Sequence, residues 1–176
     1  MIATLPRASE QVDWDRFEAL YRSTRNDLYA YVVTLLRDAT TAEDVTALAF
    51  ERAFRRRRSF NRKRGNERAW LFGIARNAAL DELRRQRRAA ALDVEELADD
   101  EPTAYQDDSD VQLRRTAVRV ALHRLPARER EVIALKFFAG LSNRELAEVL
   151  GVSESNDGTI LHRTIEKLRT ACNATV

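Results

Sequence analysis

Between residues 89 and 112 the chain carries nine carboxylates and not one cation, and this block constrains everything around it. The stretch AALDVEELADDEPTAYQDDSD, Ala90 to Asp110, loses helical periodicity after Leu97 and contains Pro102. Self-repelling carboxylates without a spaced apolar face cannot bury enough surface to offset chain entropy, so it reads as a linker. As a flexible coil it would span roughly 25–30 Å, and like charge extends it further. The organisation expected is therefore two units, residues 1–88 and 113–176, joined by an acidic linker over 89–112.

Both flanking segments show helical spacing. Trp14, Phe17, Leu20, Tyr21, Leu28, Tyr31, Val32 and Leu35 recur on one face, with a break expected near Ser23–Asn26. In TTAEDVTALAFERAFRR, Thr40 and Glu43 suit a capping box, and Val45, Leu48, Ala49 and Phe54 supply the apolar positions. A basic loop, RRRSFNRKRGNE, carries the breakers Gly65 and Asn66. The helix RAWLFGIARNAALDELRRQRR then offers Leu71, Ile74, Ala75, Ala78 and Leu83 to a core. Trp70 and Phe72 are core candidates there, with base stacking as their other use.

Beyond the linker, helices are expected over Val111–Arg124 and Ala127–Ala139, the second entered through Pro126. Ser142 and Glu145 form another S-x-x-E capping box, and Gly151 suits a helix C-terminus. Val152 fills the turn and Ser153 caps a last helix, on which Leu161, Ile165 and Leu168 make an i, i+4, i+7 stripe. Two short amphipathic helices about three residues apart are the helix-turn-helix arrangement. With five glycines and three prolines in 176 residues, turn-rich β folds are disfavoured, and the fold class expected is all-α.

Charge points to a polyanion. Residues 52–88 hold fourteen bases against Glu67, Asp81 and Glu82. A solvated helix face is the plainer reading of such a run. One cysteine, Cys172, excludes an internal disulfide, and two histidines beside it do not make a zinc quartet, so no metal and no cofactor is expected. No apolar run approaches the ~20 residues of a membrane span and no hydrophobic leader opens the chain, so a reducing cytoplasm is expected. No P-loop and no nucleophile with a base is present, so no enzymatic activity is expected.

Four segments together resemble the extracytoplasmic-function (ECF) sigma factors of bacterial RNA polymerase, from about Phe17 to Arg169. FEALYRSTRNDLYAYV resembles the family's first helix, and AEDVTALAFERAFRR its polymerase-binding helix. RAWLFGIARNAALDELRRQRR resembles the helix that melts and reads the −10 element. LPAREREVIALKFFAGLSNRELAEVLGVSES and LHRTIEKLR resemble the −35-binding domain. The resemblance implies sigma domains 2 and 4, binding to the β and β′ subunits of core polymerase, promoter DNA as ligand, and an anti-sigma factor as a further partner. The alternative is a stand-alone helix-turn-helix regulator, which leaves residues 42–56 and 60–88 without a role.

Carried over by position, polymerase contact falls to Asp44, Val45, Leu48, Phe50, Glu51, Phe54 and Arg55. The family usually has a glutamine and an acid where this chain has Ala47 and Leu48. The −10 strand falls to Phe60, Asn61, Arg62, Lys63, Arg68 and Asn77, with Arg76, Arg84 and Arg85 on phosphates. The −35 element falls to Ser153, Ser155, Asn156, Asp157, Thr159, His162, Arg163 and Lys167, with Arg144 on the backbone. Many relatives carry an apolar residue at 157 and a base at 160, where this chain has Asp157 and Ile160. Asp157 is expected at the major groove, accepting from a cytosine amino group or favouring the helix N-terminus, though a carboxylate repels phosphate. The linker acids Asp99, Asp100 and Glu101 are expected to imitate phosphates in a polymerase channel; unchanged binding and initiation after their replacement by alanine would refute that.

Overall fold

The computed structural model describes residues 8–61, 65–92 and 118–173. Every regular element among them is helical, as expected. None of these helices is long and apolar enough to cross a membrane. The linker acids, Arg62 and Lys63 lie outside the described residues.

Helix α1 (Ala8–Leu36) runs unbroken through Ser23–Asn26, against the expected interruption. Two hydroxyls explain why that polar stretch stays helical. Thr24 Oγ1 donates to the Leu20 carbonyl at 2.6 Å, and Ser23 Oγ donates to the same oxygen at 3.1 Å. Such back-bonding satisfies a hydroxyl within the helix, and it lets Thr24 be buried among apolar neighbours. The helix ends at Arg37, whose φ of 61° is left-handed.

Helix α2 (Ala39–Arg56) is capped by Asp38 and not by Thr40. Asp38 Oδ1 accepts from the amides of Thr40 at 2.9 Å and Thr41 at 3.3 Å, and Oδ2 accepts from the Thr41 hydroxyl at 2.6 Å. An aspartate two residues upstream satisfied the orphan amides better than the predicted threonine. Helix α3 (Glu67–Leu92) starts at Asn66, whose side-chain oxygen accepts from Arg68 N at 2.9 Å.

These three helices enclose Leu28, Tyr31, Val32, Ala49, Phe50, Leu71, Phe72 and Ala75. Phe72 is wholly buried, which settles its core role, and Trp70 is half-buried against Phe60. Alanines at 42, 49, 53, 75, 78 and 79 allow the backbones to approach closely. Phe17, Phe50 and Phe54 join α1 to α2 by edge-to-face contacts at 5.1–6.5 Å.

The second unit contains α4 (118–124 as described), α5 (Ala127–Phe137), α6 (Asn143–Leu150) and α7 (Glu154–Asn173). The predicted capping box of α6 is present: Glu145 N donates to Ser142 Oγ at 3.3 Å and Ser142 N to Glu145 Oε2 at 2.8 Å. Gly151 ends α6 with φ 67°, a conformation that favours glycine. Ser153 then accepts from the Asn156 amide at 3.4 Å, opening α7. Leu161 is buried, with Ile165 and Leu168 packed beside it, as the stripe predicts.

The two units share one apolar core. Helix α5 lies against α1, and α6 approaches α3. Leu135, Ala139 and Leu141 join the same cluster as Tyr31 and Phe72.

Candidate nucleic-acid and polymerase interfaces

The outer face of α2 is a mixed surface. Asp44, Leu48, Glu51 and Arg55 are exposed, and Glu51 pairs with Arg55 at 2.6 Å one turn on. Two residues expected on this face turn inward. Val45 and Phe50 are only 5% and 7% exposed, because the helical period puts them toward α1 and α3. Phe54 is half-buried, in edge contact with Trp14 at 5.4 Å and beneath the Arg57 guanidinium at 3.9 Å. Sequence periodicity assigned Trp14 and Tyr21 to the core, yet they remain 51% and 40% exposed. They extend the face of α2 as an aromatic margin on α1, since Tyr21 rests edge-on against Phe50 at 4.8 Å.

Helix α3 presents a second surface. Asn77, Asp81, Arg84, Arg85 and Arg88 are exposed, at spacings that keep them near one side of the helix. Arg84 pairs with Asp81 at 3.1 Å, and Arg85 forms two hydrogen bonds of 2.7 Å to Glu82. The Arg85 fork holds the Glu82 carboxyl below its usual range. Arg52 of α2 reaches the same Asp81 at 3.7 Å. Arg52 was not among the expected strand-binding residues, since nothing in linear spacing joins it to α3. Phe60 is stacked at a tilt on Trp70 at 5.2 Å, with the Arg16 guanidinium 5.5 Å from its ring. Asn61 is exposed.

Arg68, expected on the −10 strand, and Arg76, expected on phosphates, sit elsewhere: both turn into the seam between the units. Arg76 Nε donates to Glu131 Oε1 at 2.7 Å. Arg68 donates to the carbonyls of Phe138, at 2.9 Å, and Ala139, and pairs with Asp27. Two facing units, each carrying part of the network, were invisible to a linear reading.

The third surface is the exposed side of α7. Ser153, Ser155, Asn156, Thr159, His162 and Arg163 all face outward. Thr159 Oγ1 bonds back to the Ser155 carbonyl at 3.0 Å. Arg144 of α6 is exposed near Glu148, at 3.4 Å, and Lys167 pairs with Glu129 at 2.6 Å.

Asp157 overturns its expected place in the major groove. Its exposure is 0%, and neither carboxylate oxygen has a hydrogen-bond partner among the described residues. Burial pushes its carboxyl pKa up, while Arg128 and Lys136 of α5 pull it down by less. The periodicity that sends Leu161 and Thr164 inward sends position 157 inward too, one turn earlier. An apolar residue would suit this site better than the carboxylate that occupies it.

Comparison with known proteins agrees with this layout. The family model described as Sigma-70 region 2 matches residues 20–89, and that of Sigma-70, region 4 matches residues 115–168. The ECF RNA polymerase sigma factor SigL of Mycobacterium tuberculosis is 30% identical, over 86% of this chain and 85% of its own length. The ECF sigma factor BldN of Streptomyces coelicolor is 32% identical over 88% of this chain, which spans 59% of that longer relative. The sigma factor RpoE of Bartonella quintana, solved in complex with the anti-sigma factor NepR, shares the fold with a TM-score of 0.77 at 22% identity, covering 90% of this chain and 97% of that one. The chain belongs to the ECF RNA polymerase sigma factors, which direct RNA polymerase to promoters.

Proposed function

We propose that the three surfaces divide the work of a sigma factor within this chain. The exposed face of α2, Asp44, Leu48, Glu51 and Arg55 with the Trp14 and Tyr21 margin, meets core polymerase on its β and β′ subunits. Apolar contact at Leu48 and the two aromatics supplies buried area, and the charges set orientation. Residues 1–88 and 113–176 act as the polymerase-and-−10 unit and the −35 unit, with 89–112 between them.

Opening a promoter requires unpaired bases held outside the stack and phosphates neutralised beside them. Arg52, Arg84, Arg85 and Arg88 supply cations along α2 and α3, and Asn61 and Asn77 supply amide groups for base edges. Helix α7 reads duplex DNA with Ser155, Asn156, Thr159, His162 and Arg163, while Ser153 holds the helix N-terminus and Arg144 and Lys167 bind backbone. Asp157 lies on the inner side of α7 and contacts no base.

One observation supports this reading: exposed arginines along α3 and an outward polar face on α7 of a helix-turn-helix occur in one chain. No catalytic step is assigned to any residue, and the cytoplasm, where bacterial polymerase works, is the setting. A regulator acting alone would leave the α2 face without a task. An anti-sigma factor is a further partner, by analogy with the complex of RpoE with NepR.

Run-off transcription with bacterial core polymerase on a library of promoter fragments tests the reading. Transcripts with defined starts only when the protein is added are expected. Absence of core binding and of initiation would overturn it.

A further inference from the structure

A small cavity of about 130 Å³ opens where α1, α3 and α5 meet. Its floor is apolar: Leu35 comes from α1, and Leu80 and Leu83 come from α3. Arg128, Arg130 and Glu131 of α5 stand on its wall. Leu80 and Leu83 are half-buried and Arg128 is exposed, so the cavity has a mouth to solvent. None of the three interaction surfaces includes it.

The charges on that wall do not balance. Glu131 is committed, since Arg76 Nε donates to its Oε1 at 2.7 Å and the Tyr31 hydroxyl donates to the same oxygen at 3.4 Å. Arg130 is not committed in this way. It is 8% exposed, and its Nη1 donates to the Leu125 carbonyl at 3.2 Å. Its Nε has no hydrogen-bond partner among the described residues, and no carboxylate among them pairs with it. Its charged surroundings are cationic: burial, and then the Arg37 charge, lower the pKa of the Arg130 guanidinium. Burial and the charges of Arg37, Arg130 and Arg119 likewise hold the His123 imidazole of α4 below its ordinary value. A guanidinium buried among cations lacks the counter-ion that normally accompanies a buried charge.

An apolar floor beneath an unpaired cation selects an amphipathic anion, and the volume sets the size of its apolar part. An engineered apolar cavity of roughly 150 Å³ takes up benzene, so this one accepts a single ring or a short acyl chain. We propose that the cavity is a binding site for a small organic carboxylate, an aryl or short-chain acyl acid, whose apolar body lies on Leu35, Leu80 and Leu83 and whose carboxylate meets Arg130, with Arg128 at the mouth. A planar carboxylate matches the guanidinium fork. A bare oxyanion leaves the leucine floor empty, and a neutral ring leaves Arg130 unpaired. The inference does not depend on which surface meets polymerase or DNA.

The test titrates the full chain with benzoate, benzyl alcohol and inorganic phosphate, read by isothermal calorimetry and by melting temperature. Benzyl alcohol keeps the ring and removes the charge, and phosphate keeps the charge and removes the ring. Benzoate is expected to saturate a single site in the millimolar range or tighter, as the efficiency of so small a ligand allows, and to raise the melting temperature. Its affinity should exceed that of either control about tenfold, the worth of a charge-assisted bond. Arg130→Met, which keeps the stem and removes the charge, should bring benzoate down to the level of benzyl alcohol. Leu80→Phe, which fills the cavity from α3, should abolish binding of both. Absence of saturable benzoate binding, equal affinity for benzoate and either control, or benzoate binding unchanged in either folded variant would each overturn the proposal. Should Arg130→Met lose its helical circular dichroism, Leu80→Phe decides alone, and unaltered benzoate binding there overturns the site.

Discussion

The Arg76 guanidinium and the Glu131 carboxylate meet at 2.7 Å across the seam between the two helical units, fifty-five positions apart in the chain. Nothing in the sequence pairs them. Their pairing joins α3 to α5, which immediately precedes the helix-turn-helix.

Because both side chains are largely buried, Arg76→Ala should cost about 3 kcal/mol of stability, most of it from the carboxylate left behind. A double-mutant cycle with Glu131→Ala, followed by denaturant unfolding, should return a coupling well above that of the exposed Arg144–Glu148 pair, which should lie below about 0.5 kcal/mol. Equal couplings for the two pairs would contradict the burial of the seam.

Asp157→Leu should stabilise the protein at neutral pH by about 1–3 kcal/mol, since it removes a buried carboxylate that has no hydrogen-bond partner among the described residues. The sign follows from the raised carboxyl. Folding favours the protonated form, so the favourable contribution is complete below the unfolded value near 3.8 and is lost as pH rises through the higher folded value. The advantage of the leucine variant should therefore grow as pH increases above about 4 and then level off. Unfolding midpoints of both proteins across that range give the answer; a constant difference would show that Asp157 keeps its ordinary ionisation.

Asp38 behaves oppositely. Its hydrogen bonds from the Thr41 hydroxyl and the Thr41 and Thr40 amides hold the carboxyl below its ordinary value of 3.8. Its stabilising contribution is present above that value and fades as pH falls through the lower folded one. Asp38→Ala should cost about 1 kcal/mol at pH 7, as loss of an N-cap does, and the cost should shrink in acid. Thermal melts at pH 7 and pH 3 check it, and Thr40→Ala should cost less at pH 7.

On the outer face of α7, Arg163→Ala should weaken binding of the polymerase holoenzyme to −35 DNA and reduce the slope of log affinity against log salt by about 1 if the contact is to phosphate. On α2, Leu48→Asp should weaken core polymerase binding at least tenfold with little change in melting temperature, since Leu48 is exposed at 36%. A large fall in melting temperature would assign Leu48 to packing instead.

Much of the local structure was legible because it depends on neighbours in the chain. The Ser142–Glu145 box, the left-handed Gly151 and the Ser153 cap are set within four residues of themselves, and all three are present. The helix-turn-helix and the all-helical fold follow from spacing of the same range. The expected break at Ser23–Asn26 was wrong because hydroxyls can return their hydrogen bonds to the helix, which composition does not reveal. The cap of α2 moved from Thr40 to Asp38 because two good capping residues competed and only the path of the chain after Arg37 selected one.

Sequence by itself determined that this chain is built of amphipathic helices on either side of an acidic interval, with cations concentrated between residues 52 and 88. Tertiary structure alone decided which side chains face water. It turned Phe50 into the core and left Trp14, Tyr21 and Leu48 outside. It also set Arg68 and Arg76 against α5 instead of solvent. Helical periodicity specifies a face, but which faces are covered depends on how separate helices pack, and that is fixed by contacts between residues far apart in the chain.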